Sequence, residues 1–315
     1  MEFKTLEYMI AIEENQSITR AAETLFISQP ALNQMLLKEE KMIGTKLFFR
    51  SKKSMLPTPA GKIYLENARS ILQIAHNTTT QIKELSDNLS GNICFGLPFE
   101  HGIDLLVNVS RNFDRMYPNV SIQMREMTVR EMYGNIRKNR LDMAFVMQPD
   151  VPSAEYDHKE ICEERFVLGV PADHPLARNA APKGMPLATL NLASLKKEQF
   201  ALMFDGSTQR QILDPLFIEA GFKPNIHYET LMNRAMQKLV SKGLCCTIIP
   251  QSYAVPDDQV AWFFLEQDPR WHWYVVWSKS HYLNQADNYL IELIRQYAEI
   301  VKNHWQMYAI GLPEM

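Results

Sequence analysis

The chain has 315 residues, 46% of them hydrophobic and 22% charged, with a formal net charge of −3. One hydrophobic core rarely grows past about 250 residues, so two or three domains are expected, and the composition excludes a disordered, fibrous or disulfide-framework polymer. Four scattered cysteines without a CxxC, no uninterrupted apolar run of about 20 residues, and an amino terminus lacking a basic stretch before an apolar one point to a cytoplasmic protein without membrane partner, metal or cofactor. The net charge conceals an asymmetry: residues 28–62 carry seven basic side chains against two acidic ones. A basic segment inside an acidic protein is the mark of a nucleic-acid contact.

Taken in order, Phe3, Leu6, Tyr8, Met9 and Ile12 recur at helical spacing and predict a helix over residues 2–14. Ser17 then caps a short helix from Ile18, whose Ala21-Ala22 pair lets a neighbouring helix come close. Ser28-Gln29-Pro30-Ala31 opens another helix, with serine as N-cap and proline in the first turn, where it is tolerated. Leu32, Leu36 and Ile43 are expected on its inner side, and Gly44 ends it.

Two short helices joined by a tight turn form a helix-turn-helix, whose second helix enters the DNA major groove by its amino-terminal side chains. Ser28, Gln29, Pro30, Asn33 and Gln34 occupy that end, and amides suit the edge of adenine. Lys38, Arg50, Lys52 and Lys53 suit phosphates, which position the protein without reading sequence. Leu47 to Leu56 reads as strand, basic turn and strand: a wing. Thr58-Pro59 starts the next helix.

From Ala60 to about Leu89 nothing interrupts a helix, and Tyr64, Ala68, Ile71, Ala75, Thr78, Ile82, Leu85 and Leu89 follow a 4-3-4-3 heptad seam. A dimerisation helix is expected, the alternative being a helix laid across its own downstream domain. Dimerisation suits a reader of paired half-sites.

With these residues in place the chain resembles the LysR-type transcriptional regulators. The resemblance rests on Ser17-Ile18-Thr19-Arg20-Ala21-Ala22-Glu23, Ile27-Ser28-Gln29-Pro30-Ala31-Leu32, Gly44-Thr45-Lys46-Leu47-Phe48-Phe49-Arg50 and Leu56-Pro57-Thr58-Pro59-Ala60-Gly61. It implies a winged helix-turn-helix DNA-binding domain at 1–58 (motif about 18–37), a linker helix at 59–89 and a periplasmic-binding-protein-like α/β effector domain at 91–310. Subdomain I would hold 91–162 and 269–310, and subdomain II 163–268. Implied partners are double-stranded operator DNA, a small-molecule effector such as an organic anion, further copies of the chain as dimer or tetramer, and RNA polymerase. Two departures stand out. Asn33-Gln34 replaces a common serine, often followed by arginine, and Glu39 replaces an inward leucine.

Beyond Gly91, strands at 92–97, 120–125, 143–147, 163–171, 245–249 and 273–277 alternate with helices at 103–116, 129–139, 208–220, 231–242 and 284–308, a pattern of βαβ units around parallel sheets. Ligands of such sheets sit beyond the carboxyl ends of the strands. That makes Pro98, Phe99, His101, Thr128, Ser207, Thr208 and Gln209 candidates for effector binding, with Arg125, Arg130, Arg210 and Arg234 as anchors for a carboxylate. Adjacent Cys245 and Cys246 allow a redox-sensing alternative, although two cysteines in an apolar strand more commonly serve as buried small hydrophobes. HExxH, GxSxG, GxGxxG and GxxxxGK[ST] are all missing, so no enzyme is expected. A free-standing solute receptor would not need the reader in front.

Overall fold

The computed structural model describes residues 2–50, 54–85, 89–182, 185–255 and 257–310, with side chains as far as residue 303. Lys52 and Lys53, expected on the wing, lie outside the described residues. The chain forms two compact units, one built mainly on residues up to 89 and the other on residues from 90 onward.

The first unit runs α1 (Phe3–Asn15), α2 (Ile18–Thr24), α3 (Gln29–Ile43), β1 (Phe48–Arg50), β2 (Met55–Pro57) and α4 (Pro59–Leu85). The Ser17 hydroxyl accepts the Arg20 N–H and the Ser28 hydroxyl accepts the Ala31 N–H, caps that each stabilise a helix by about 1 kcal/mol. Ala21 and Ala22 are buried as α2 packs on α1, and Phe26 turns the chain towards α3 at φ 53°. Met9, Ile12, Leu32, Leu36 and Phe48 are fully enclosed. Ile43 is not: it stands exposed at the end of α3, because Gly44 (φ 82°) stops the helix where the core has already closed. The inward places nearer the middle of α3 belong to Glu39 and Glu40.

Both buried carboxylates are satisfied. Glu39 accepts the Tyr64 hydroxyl at 3.0 Å, and burial, together with that acceptor, pushes the Tyr64 phenol well above its usual range. Glu40 accepts the N–H groups of Leu47 (2.9 Å) and Phe48 (3.4 Å) and pairs with Arg50 at 3.4 Å. Glu40 thereby fastens the start of the wing to α3.

Thr58 caps α4 by accepting the Gly61 N–H at 2.9 Å. The first turns of α4 lie on α1, where Arg69 meets Glu13 at 2.5 Å. This corrects the heptad reading at its amino-terminal end. Ala68 is buried within its own chain and Tyr64 is half-buried and tied to Glu39, because a helix emerging from a small domain must first help close that domain's core. The apolar side chains α4 leaves exposed are Ile63, Ile71, Ile74, Ile82 and Leu85, while Ala75 is half-buried.

The second unit holds β3 (Gly91–Leu97), α5 (His101–Met116), β4 (Val120–Glu126), α6 (Val129–Arg137), β5 (Met143–Gln148), β6 (Tyr156–Pro171), β7 (Thr189–Leu190), β8 (Gln199–Met203), α7 (Thr208–Glu219), β9 (Asn225–Thr230), α8 (Asn233–Ser241), β10 (Cys246–Pro250), β11 (Val260–Leu265), β12 (Arg270–Ser278) and α9 (Gln285–Ile310). Its strands run in the order β4-β3-β5-β12-β6-β10-β8-β9, with β11 on β6 and β7 on β11. Here β6 is longer than the sequence predicts. Residues 157–160 (Asp-His-Lys-Glu) hide the strand behind charge, yet they pair with β12 at the surface.

β6 belongs to two sheets. Tyr156 to Arg165 pair with β12, and Phe166 to Pro171 pair with β10 and β11. The Phe166 N–H donates to the Pro269 carbonyl, where the returning chain passes. Two subdomains therefore meet at a pair of crossing segments near 165–166 and 267–269. The strands β7, β8, β9 and β11 have no counterpart in the sequence reading. β11 is a short aromatic run, which periodicity cannot assign.

Candidate functional site

In each subdomain the parallel strands leave a topological switch point. β3 lies between β4 and β5, parallel to both, and β8 lies between β9 and β10, again parallel to both. The chain therefore leaves β3 for β4 and crosses back to β5 on its other side, and likewise leaves β8 for β9 and crosses back to β10, which opens a crevice at the carboxyl end of β3 and of β8. Pro98, Phe99 and His101 follow β3, Thr128 follows β4, and Ser207, Thr208 and Gln209 follow β8. The structure brings all seven to one cleft of about 660 Å³, together with Tyr133, Phe204 and Trp271, which the sequence did not single out.

Four helices, α5 to α8, begin at this cleft, and their amino termini are not equivalent. At α5 the His101 and Gly102 N–H groups donate to the Phe99 and Pro98 carbonyls at 2.8 and 3.1 Å. At α6, Thr128 and Glu131 form a capping box: the Thr128 N–H and hydroxyl donate to the Glu131 carboxylate at 2.9 and 2.8 Å, and the Thr128 oxygen accepts the Glu131 N–H at 3.3 Å. Those bonds hold the Glu131 carboxyl below its ordinary range. At α8, the position is filled by a carboxylate from the other subdomain. Glu100 accepts the Asn233 N–H at 2.6 Å, the Asn233 Nδ2 at 3.2 Å and the Arg234 N–H at 3.0 Å. Only an unusual backbone, φ 63° at a non-glycine residue, brings Glu100 there. At α7 the Ser207 hydroxyl caps Arg210 N–H, whereas the Thr208 and Gln209 N–H groups meet no acceptor among the described residues. The amino terminus of α7 is the one left to a ligand.

The four arginines separate in the same way. Arg130 lines the cleft. Arg210 is committed to Asp214 at 2.6 Å and Arg234 to Asp104 at 2.6 Å, while Arg125 is exposed on β4 and takes no part in the cleft. Three of the four expected carboxylate anchors are therefore elsewhere. A lone sequence position carries no record of the acidic partner that folding brings to it.

Behind the cleft lies a buried polar network that nothing in the sequence signals. Glu164, 1% exposed, accepts both indole N–H groups of Trp271 and Trp273 at 2.8 Å and the Ser252 N–H at 2.9 Å. Burial pushes its carboxyl up to about 7. His101 lies 3.3 Å from the Ser252 hydroxyl and edge-on to Tyr253, Trp271 and Trp273. Burial, aided by the nearby Arg234 charge, holds it down to about 3, so it stands neutral at physiological pH.

Cys245 and Cys246 are buried free thiols, and burial raises them to about 11 and about 12. A thiol held protonated in this way is a poor nucleophile, so the redox alternative draws no support from them. Among the described residues no group of histidine, cysteine and carboxylate is arranged to hold a metal ion, and no helix is long and apolar enough to cross a membrane.

On the reader, Ser28, Gln29, Pro30 and Gln34 lie exposed at the amino-terminal end of α3, and Lys38 is exposed farther along the helix. Asn33 is half-buried, and its Oδ1 accepts an N–H of Arg50 at 3.2 Å. Arg50, expected to meet phosphate, is thus also a tie between wing and helix through Asn33 and Glu40.

Comparison with known proteins adds two family matches. Residues 3–62 match the lysR-family bacterial regulatory helix-turn-helix model, and residues 86–299 match the LysR substrate binding domain. Among curated relatives, the uncharacterized HTH-type transcriptional regulator YnfL of Escherichia coli (strain K12) is 30% identical, with 93% of this chain and 98% of the relative covered. The HTH-type transcriptional regulator XapR of the same organism is 28% identical over 80% and 83%. Among solved structures, a full-length OxyR variant from Pseudomonas aeruginosa shares the fold with a TM-score of 0.69 at 22% identity, over 94% of both chains.

Proposed function

We propose a division of labour for this chain, which belongs to the LysR family of DNA-binding transcriptional regulators: α3 reads the operator, α4 pairs two copies, and the cleft of the second unit senses an effector. The family binds operator DNA and small-molecule effectors and assembles as oligomers; it is not a family of enzymes. The observation that carries the sensing assignment is the meeting of both switch points at one cleft, with a helix amino terminus left open there. The wing and the exposed polar end of α3 support the reading assignment. Effector and operator are then linked: an effector that binds one arrangement of the oligomer better shifts its population and hence the spacing of the paired readers.

Two measurements test this scheme. Gln29→Ala is expected to relax base preference, with a loss of roughly 1–3 kcal/mol of discrimination at one operator position. Lys38→Ala should weaken binding to all sequences alike and reduce the salt dependence. Anisotropy titrations over a range of salt on matched and mutated operators separate the two; equal loss of discrimination in both variants contradicts the assignment. For pairing, Ile74→Asp combined with Ile82→Asp places carboxylates on the exposed apolar face of α4. Light scattering should then find monomers with little operator affinity, and an unchanged mass would remove α4 from the interface.

A further inference from the structure

Asn33 stands one turn beyond Gln29 on α3, so the two amides share a face of the reading helix. Their hydrogen bonding differs. Gln29 is exposed and makes no side-chain hydrogen bond among the described residues, which leaves both ends of its amide to DNA. Asn33 is half-buried, and its Oδ1 accepts an N–H from Arg50 Nη1 at 3.2 Å. Its Nδ2 meets no acceptor among the described residues.

The direction of this amide is set by its partner. A guanidinium carries only donors, so an Asn33 amide turned about would place its Nδ2 hydrogens against those of Arg50. Arg50 is itself held: its Nη2 lies 3.4 Å from Glu40 Oε2, and Glu40 is anchored by the Leu47 and Phe48 N–H groups. The wing therefore fixes Asn33 with its oxygen towards Arg50 and its nitrogen as the unspent end.

Recognition of adenine by an asparagine takes both ends of the amide, the oxygen accepting from N6 and the nitrogen donating to N7. A carbonyl oxygen has two lone pairs, but a base amino group approaching the second would come beside a cation, donor against donor. What Asn33 and Arg50 present together is a set of N–H groups without an acceptor to match. In the major groove the complementary edges belong to the keto bases: guanine offers N7 and O6, and thymine offers O4. Adenine and cytosine turn an amino group to the same place.

We propose that Asn33 reads the operator as a donor only and selects a keto base, guanine or thymine, where an untethered asparagine would select adenine. Arg50 is the positioning residue for that choice. The proposal rests on α3 being the operator reader and assigns the class of base read at one of its positions.

The test selects binding sites for the full-length protein from randomised duplex DNA and compares wild type with single variants. Asn33→Ala should flatten one base column, and in wild type that column should be guanine or thymine. On duplexes differing only there, wild type should bind the keto base at least about five-fold more tightly than adenine or cytosine, the low end for a good base contact. Asn33→Asp keeps an acceptor for Arg50 but loses both donors, and should turn the same column to cytosine, whose N4 donates to a carboxylate. Arg50→Met releases the Asn33 oxygen and should admit adenine. A wild-type column of adenine or cytosine, no column altered by Asn33→Ala, a keto preference kept by Asn33→Asp, or adenine still excluded by Arg50→Met overturns the donor-only assignment. Gln29→Ala separates the two levels. If it alters a column of its own, α3 stands as the reader and only the assignment of Asn33 falls; if neither Gln29→Ala nor Asn33→Ala alters any column, the reading role of α3 falls with it.

Discussion

Glu164→Leu is expected to lower the stability of the α/β unit by roughly 3–9 kcal/mol, because three buried donors each lose their acceptor at about 1–3 kcal/mol apiece. Those donors are the indoles of Trp271 and Trp273 and the Ser252 N–H, two of them on the strand that returns to subdomain I. Glu164→Gln retains an oxygen for the indoles and should cost only about 1–2 kcal/mol. The two variants also differ from wild type in pH dependence. A carboxyl raised from 4.5 to about 7 by folding binds its proton more tightly in the native state, so its contribution falls as pH rises from 4.5 to about 7 and levels off above. His101 acts in the opposite sense: lowered from 6.5 to about 3, it makes the fold more stable as pH rises across that range, an effect complete above 6.5. Glu164→Gln removes the first effect and keeps the second. Urea denaturation at pH 5.5 and 8 should therefore show wild type losing roughly 2 kcal/mol relative to the glutamine variant. Parallel profiles would mean that Glu164 does not change its proton affinity on folding.

Gly61→Ala is expected to abolish operator binding while leaving the α/β unit folded. A Cβ at Gly61 would overlap the Leu47 carbonyl oxygen and stand 2.9 Å from its carbon. This is backbone, which cannot rotate aside, and the same oxygen accepts the Thr58 N–H at 2.9 Å while the Leu47 N–H is held by Glu40. Relief requires α4 to leave the wing, at more than about 4 kcal/mol, the range reserved for severe core lesions. A reader of this size has little stability to spare. Calorimetry should show the reader's transition lost and the other retained, with operator affinity down at least 100-fold. Affinity within three-fold of wild type would show that the wing accommodates the methyl group.

The reader was legible in sequence because its determinants are local. A serine cap acts on an N–H three residues away, a proline sets its own φ, and Gly44 ends α3 by its own φ of 82°. Even here, what depended on distant partners was hidden. Glu39 looked misplaced until Tyr64, 25 residues on, supplied its donor. Tyr64 and Ala68 fit a heptad seam whose first turns are taken up by the reader's own core, Tyr64 by Glu39 of α3. In the second unit the charged stretch 157–160 masks the period of β6, so the sequence marks only about half of that strand.

By itself, then, the sequence determined the order of elements, the reader with its basic segment, and the loops from which binding residues come, since each is written in spacings of a few residues. Tertiary structure alone decided which of those loop residues remain available to a ligand. Thr128 is consumed by its own helix, Arg210 and Arg234 by carboxylates, and the start of α8 by Glu100 from across the cleft. What is left, the open helix terminus of α7, is a remainder after long-range pairing, and a remainder is defined only once the pairs are known.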